Sequence, residues 1–241
     1  MTMLEVEGLS HSFSGLRAVD RAEFVVDRGE VVGLIGPNGA GKTTVFNLVS
    51  GAIKVKEGSV RFKGEEITNL RPDQVCRRGL ARTFQTTKLF DGMTAFENVR
   101  VALIHGNPGR RFRYREAERE VNQLMASMGL LADRNKPVRD LSLASRRRLE
   151  IARALATNAE MLLLDEAMAG LTPAEVTQAM ELLRRLRERG LTILMIEHVM
   201  QAIMGACDRI IVFHQGRKIA EGTPDEIAAD PTVRSVYLGH G

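Results

Sequence analysis

The apolar run Val31-Val32-Gly33-Leu34-Ile35 ends at Gly36 and gives way to Pro37, Asn38, Gly39, Ala40, Gly41, Lys42, Thr43 and Thr44. Glycines at positions 36, 39 and 41 let the backbone fold back on itself after a buried strand, and Lys42–Ser50 reads as a helix closed by Gly51. A loop of this kind turns its N–H groups inward, and the helix that follows adds a positive dipole end, which together make a cradle for a polyphosphate. Lys42 then supplies a cation for the β- and γ-phosphates, and Thr43 a hydroxyl for Mg²⁺. A Gly-rich segment can be only a turn. The full spacing in a strand–loop–helix setting is specific enough to predict nucleotide binding and an α/β fold.

Phosphate loops serve many chemistries, so the other strand ends must discriminate. Met161-Leu-Leu-Leu164 is a second apolar strand, and it ends in Asp165-Glu166. Two adjacent carboxylates at the mouth of a buried strand are costly unless a cation or a polarised water uses them. Asp165 fits a Mg²⁺ ligand, direct or through water, and Glu166 fits the group that orients and deprotonates an attacking water. A third strand, Leu191–Ile196, ends in Glu197-His198, and a histidine there can donate to a γ-phosphate. If the three strands are parallel neighbours, these ends lie side by side. Ser142 stands before a helical apolar pattern from Leu149 onward, so it reads as a helix cap and a further anion site.

These motifs are similar to those of the ABC ATPases, the nucleotide-binding subunits of ABC transporters, and the resemblance runs nearly the whole chain. Gly36–Thr43 resembles the Walker A motif and Met161–Glu166 the Walker B motif with its catalytic glutamate. Gln85 resembles the Q-loop glutamine, which in that family touches Mg²⁺ and the attacking water and links the site to the membrane partner. His198 resembles the switch histidine, Ala169–Thr172 the D-loop, and Phe13 the aromatic that stacks on adenine. Leu141–Ser145 resembles the signature, so that Ser142, Leu143, Ala144 and Ser145 would act on the ATP of a partner chain. Within the family the branched-chain amino acid importers are nearest, through Arg82–Gln85, Leu89-Phe90, Arg147–Leu155, Ala169–Leu171, Ile196–His198 and Tyr237–Gly239. Lipopolysaccharide-export ATPases are similar in the same segments, so the solute follows from analogy.

The chain departs from the family pattern in two places. The usual signature is Leu-Ser-Gly-Gly-Gln, whereas this chain has Leu-Ser-Leu143-Ala144-Ser145. Ala144 puts a methyl where backbone must approach a phosphate, and Ser145 is shorter than glutamine, so a weakened composite site is expected. Ala167 replaces the usual proline after Asp165-Glu166, with little expected consequence.

The resemblance implies a P-loop NTPase of ABC type, with a mixed sheet core, an antiparallel β arm and a helical subdomain. The core and arm would take about 1–85 and 156–241, and the helical subdomain about 86–155. A chain of 241 residues with 44% apolar but only 5% aromatic residues suits one aliphatic α/β domain. Capping patterns at Thr94–Glu97, Thr172–Glu175 and Thr223–Glu226 set three helix starts. The resemblance further implies that Ser142 lies far from Lys42 of its own chain, so that two ATPases meet head to tail around ATP and Mg²⁺, as a homodimer or a heterodimer. Integral-membrane permease subunits would dock beside Gln85–Phe90, and a periplasmic binding protein would act through them. No stretch approaches the roughly 18 apolar residues of a membrane helix, so the chain is expected as a peripheral protein on the cytoplasmic face of the membrane.

A net charge of +4 is modest, and the basic runs read as solvated faces. A soluble ABC ATPase acting on nucleic acid would favour a coiled-coil insertion or zinc cysteines; neither is present, so nucleic acid is a disfavoured partner. A small-molecule kinase would have no use for the signature helix or for the carboxylate pair with His198. Two separated cysteines fit a reducing compartment.

Overall fold

The computed structural model describes residues 1–83, 89–107 and 109–238, with backbone alone for 237 and 238. β1 (Thr2–Phe13) and β2 (Leu16–Asp27) form a long hairpin, and β3 (Val31–Ile35) runs through the glycine-rich loop into α1 (Lys42–Val49). β4 (Glu57–Phe62), β5 (Glu65–Glu66), α2 (Pro72–Arg77) and β6 (Leu80–Arg82) follow. Next come α3 (Ala95–Gly106), α4 (Tyr114–Ser127) and α5 (Leu143–Ala156). Alternation resumes with β7 (Met161–Asp165), α6 (Pro173–Glu188), β8 (Thr192–Ile196) and α7 (Met200–Ala206). The hairpin of β9 (Arg209–His214) and β10 (Arg217–Gly222) and the helices α8 (Pro224–Ala229) and α9 (Pro231–Leu238) complete the order.

The strands make two sheets. β2-β1-β4-β5 is antiparallel, and β10-β9-β3-β8-β7-β6 is parallel from β9 to β6 with β10 antiparallel at its edge. Every residue of β3, β7 and β8 is buried, so these strands carry apolar side chains on both faces. Their alternation divides the core: Val31, Ile35 and Leu164 pack with α5, α6 and α7, while Val32, Leu34 and Leu163 pack with α1 and the antiparallel sheet. The mixed sheet and antiparallel arm expected from the sequence are therefore both present.

α3, α4 and α5 pack on one another, and the entry to α3 is tied to the segment before α5 by Ala95 N–H donating to Lys136 O at 3.0 Å. Thr94, Thr172 and Thr223 each cap a helix, with Glu97, Glu175 and Glu226 reaching back to the cap N–H as the sequence predicts. Such caps contribute on the order of 1 kcal/mol each. Ser142 caps α5 by accepting from Ser145 N–H at 3.2 Å, two turns ahead of where the apolar pattern becomes clear. The parallel register has one consequence for chemistry: β3, β8, β7 and β6 deliver their C-terminal ends to the same edge of the sheet.

Candidate nucleotide site

The loop after β3 needs glycine at two positions for steric reasons. Gly36 has φ 154°, and a Cβ there would stand 2.1 Å from Phe213 O; Gly41 has φ 99°, and its Cβ would stand 2.3 Å from Ala18 O. The neighbouring strands thus approach this backbone too closely for any side chain. Ala40 N–H donates to Pro37 O (3.2 Å), and Gly216 N–H donates to Ala40 O (3.0 Å), which pins the loop to the β9–β10 turn. Lys42 is buried, and its Nζ donates to Gly36 O (2.7 Å) and Pro37 O (3.0 Å). Burial lowers its pKa, while Glu166 and Asp165 act in the opposite sense. Asn38, Gly39 and Thr43 are exposed at the mouth, with Thr44 half-buried behind them.

Asp165 ends β7 and is buried, which raises its pKa. Arg82 opposes that shift: its Nη2 donates to Asp165 Oδ2 at 2.9 Å. Asp165 Oδ1 is buried with no hydrogen-bond partner among the described residues. An unsatisfied carboxylate oxygen suits a hard, oxygen-seeking cation such as Mg²⁺. Among the described residues no three His, Cys, Asp or Glu side chains gather as a metal cage.

Glu166 has left-handed backbone (φ 52°), unusual for a residue with a Cβ. Its N–H donates to Ile196 O at 2.9 Å, holding the turn against β8. Its Oε1 lies 3.2 Å from His198 Nε2, so β7 and β8 bring together the two side chains read as a water-activating pair. Gln85 lies outside the described residues; the strand that leads toward it, β6, pairs with β7.

Phe13 is half exposed at the tip of the β1–β2 hairpin, its ring edge-on to His11 with centroids 4.6 Å apart. Ala18, further along the same hairpin, packs against Gly41.

The signature requires a correction. Ser142, Leu143 and Ala144 reach the surface, but Ser145 is buried, and its Oγ donates to Asp133 Oδ2 at 2.8 Å. Position 145 falls one turn before Leu149 on the core-facing stripe of α5, so its side chain cannot act across a surface. The expected penalty for a shortened glutamine therefore disappears, and the accessible departures from the pattern are Leu143 and Ala144. Leu143 packs over Gly170, where a Cβ would meet Leu143 Cδ2 at 3.1 Å.

Glu197 went unassigned by the sequence. It is 2% exposed, and its Oε1 accepts from Met168 N–H at 2.7 Å, joining the end of β8 to the turn after Glu166. Burial pushes its pKa from 4.5 up to about 6, against the N–H bonds from Met168 and His198. Folding therefore takes up a proton between these values, and the stability this group contributes is lost as pH rises through about 6. Glu197→Gln cannot titrate. The variant-minus-parent difference in unfolding free energy should become about 2 kcal/mol more favourable to the variant at pH 8 than at pH 4. Urea unfolding at both pH values measures it, and a pH-independent difference would show that the carboxyl is not desolvated.

Residues 19–169 match the protein family described as ABC transporter, and residues 217–241 match the family described as branched-chain amino acid ATP-binding cassette transporter. The high-affinity branched-chain amino acid transport ATP-binding protein BraF of Pseudomonas aeruginosa is 41% identical over 250 residues, covering 98% of each chain. LivG of Escherichia coli K12, described in the same words, is 41% identical over 249 residues, again 98% of each chain. Among solved structures, the ADP conformation of an ATP-binding cassette of an ABC transporter superposes with a TM-score of 0.91 at 30% identity, covering 100% of both chains. A dimeric cassette in a post-hydrolysis state with ADP and phosphate gives 0.82 at 25% identity, over 92% of this chain and 99% of that one.

Proposed function

Because this chain belongs to the ABC transporter ATP-binding family, we propose that it is the ATP-hydrolysing motor subunit of an importer for branched-chain or similar amino acids. The observation that carries the motor reading is the meeting of Glu166 and His198, 3.2 Å apart, at strand ends beside the Lys42 loop. The solute reading rests on the BraF and LivG relatives and on the match at residues 217–241.

Each side chain has a task in hydrolysis. Phe13 stacks on adenine, residues 36–41 with Thr44 wrap the phosphates with backbone N–H groups, and Lys42 neutralises the β- and γ-oxygens. Thr43, Asp165 and Gln85 would hold Mg²⁺, which when bound would offset the charge that builds on the phosphate oxygens. Glu166 accepts the proton of the attacking water, and His198 steadies Glu166 and donates toward the γ-phosphate. Ser142, Leu143 and Ala144 cap the ATP of a second ATPase subunit, identical or related. ATP then joins two chains head to tail, and hydrolysis releases them. The α3–α5 group, about 86–155, forms the arm that carries this cap.

No helix among the described residues is long and apolar enough to cross a membrane. Permease subunits supply the span, the chain sits on their cytoplasmic face, and a periplasmic binding protein delivers the solute to them. Co-expression with the permeases, reconstitution in proteoliposomes and addition of the binding protein test this. ATP hydrolysis should rise when that protein carries leucine, isoleucine or valine. Failure to copurify with any polytopic membrane protein would overturn the transport reading, whereas stimulation by an unrelated solute would overturn the amino-acid assignment alone.

A further inference from the structure

Arg82 opens the Arg82–Gln85 motif, which assigns it no task of its own. Its side chain is 7% exposed and meets Asp165, 2% exposed, through Nη2 and Oδ2 at 2.9 Å. The other arm of the guanidinium, Nη1, donates to Asn47 Oδ1 at 2.7 Å and to Ser50 Oγ at 3.1 Å. The guanidinium carbon lies 5.6 Å from the centroid of Phe46. Asn47 and Phe46 belong to α1, the helix that begins at Lys42 and Thr43, and Ser50 is its C-terminal cap. One side chain therefore spans the end of β6, the end of β7 and the phosphate-loop helix.

A buried carboxylate that kept both oxygens unpaired would be costly, and a guanidinium whose second arm is committed to Asn47 and Ser50 can hold one oxygen and leave the other. That division is what the site shows: Oδ2 is bound to Arg82, and Oδ1 has no hydrogen-bond partner among the described residues. Arg82 also lines a cleft of about 370 Å³ together with Cys76, Thr83, Ala102, Glu150 and Arg153. The cleft lies where β6 and α2 face α3 and α5, so one end of this contact network opens between sheet and helices and the other ends on Asp165.

We propose that Arg82 is a positioning residue for Mg²⁺: it holds Asp165 by Oδ2, leaves Oδ1 for the cation, and locks that carboxylate to the phosphate-loop helix. The inference rests on the reading of Asp165 as a Mg²⁺ ligand. Outer partners that orient a metal ligand typically account for roughly 10- to 100-fold in metal affinity. Arg82→Gln should therefore need about 10- to 100-fold more Mg²⁺ to reach half of the Mg²⁺-dependent gain in nucleotide affinity. Its affinity with Mg²⁺ chelated should match the parent's. Arg82→Lys keeps the charge but loses the fork, so its shift should fall between the two.

The measurement is equilibrium titration of a non-hydrolysable ATP analogue at graded Mg²⁺ and with Mg²⁺ chelated, with thermal unfolding of each variant alongside. Asp165→Asn serves as the control for the premise and should lose the Mg²⁺-dependent gain. If Asp165→Asn loses it while Arg82→Lys and Arg82→Gln both keep the parent's Mg²⁺ dependence, Arg82 does not position the ligand and the proposal is overturned. A fall in affinity that is equal with and without Mg²⁺ would overturn it as well, since that is the mark of a purely structural residue. If Asp165→Asn itself retains the full gain, the failure lies with the Mg²⁺ reading of Asp165, and the inference falls with it. Should Arg82→Gln not fold, the Arg82→Lys shift decides alone.

Discussion

Glu166→Gln is expected to bind ATP as the parent does and to hydrolyse it roughly 100- to 10,000-fold more slowly, the range associated with a lost general base. At about 1.36 kcal/mol per decade, that is about 3 to 5 kcal/mol of barrier. The geometry makes this substitution unusually clean. The left-handed backbone at residue 166 is held by its N–H bond to Ile196 O, a contact the side chain does not make, so glutamine inherits the same position. Its amide is also long enough to keep a contact with His198, which sits 3.2 Å from the carboxylate. The capacity to take a proton is removed, together with one negative charge near Lys42. Single-turnover hydrolysis with protein in excess, paired with an equilibrium ATP titration, separates the two effects. Hydrolysis near the parent rate would show that another group prepares the water, and weakened binding would show that Glu166 builds the pocket itself.

What the sequence made legible was everything carried by local spacing. The strand–loop–helix at residues 31–50 and the capping threonines at 94, 172 and 223 each follow from residues within a few positions of one another. The adjacency of β3, β8 and β7 followed from an expectation of parallel neighbours, and Glu166 and His198 meet because that expectation is met. What stayed hidden depends on helical phase and on partners distant along the chain. Ser145 was grouped with Ser142 and Ala144 by the signature pattern, yet one further residue around the helix turns it to Asp133. Arg82 precedes its partner by 83 positions and reads as one letter of a local motif until β6 and β7 are paired. Glu197 reads as a neighbour of the histidine, and only its burial and its bond to Met168 N–H distinguish it from a solvated strand end. Charged residues inside apolar strand ends, such as Arg82 and Glu197, were the available signal, since each must find a partner or change its protonation.

Lys42→Ala should remove most ATP binding, with Kd rising roughly 10- to 100-fold or more, because hydrogen bonds to charged groups contribute about 1.5–3 kcal/mol each. The ammonium is already drawn into the loop by Gly36 O and Pro37 O, so it reaches phosphate from a short, prearranged position. It is also the cation that lies within the field of both Glu166 and Asp165. Without it, the polyphosphate would approach two carboxylates with only backbone N–H groups and Mg²⁺ to offset their repulsion, so the loss should deepen when Mg²⁺ is chelated. Lys42→Gln keeps a donor of similar reach but no charge, and its loss should fall between parent and alanine variant. Titration of the three proteins with ATP, with and without Mg²⁺, tests the claim, and thermal unfolding shows whether the loop still folds around the missing side chain. Undiminished affinity in a folded Lys42→Ala protein would refute the assignment of residues 36–43 as a phosphate-binding loop in which Lys42 meets the β- and γ-phosphates.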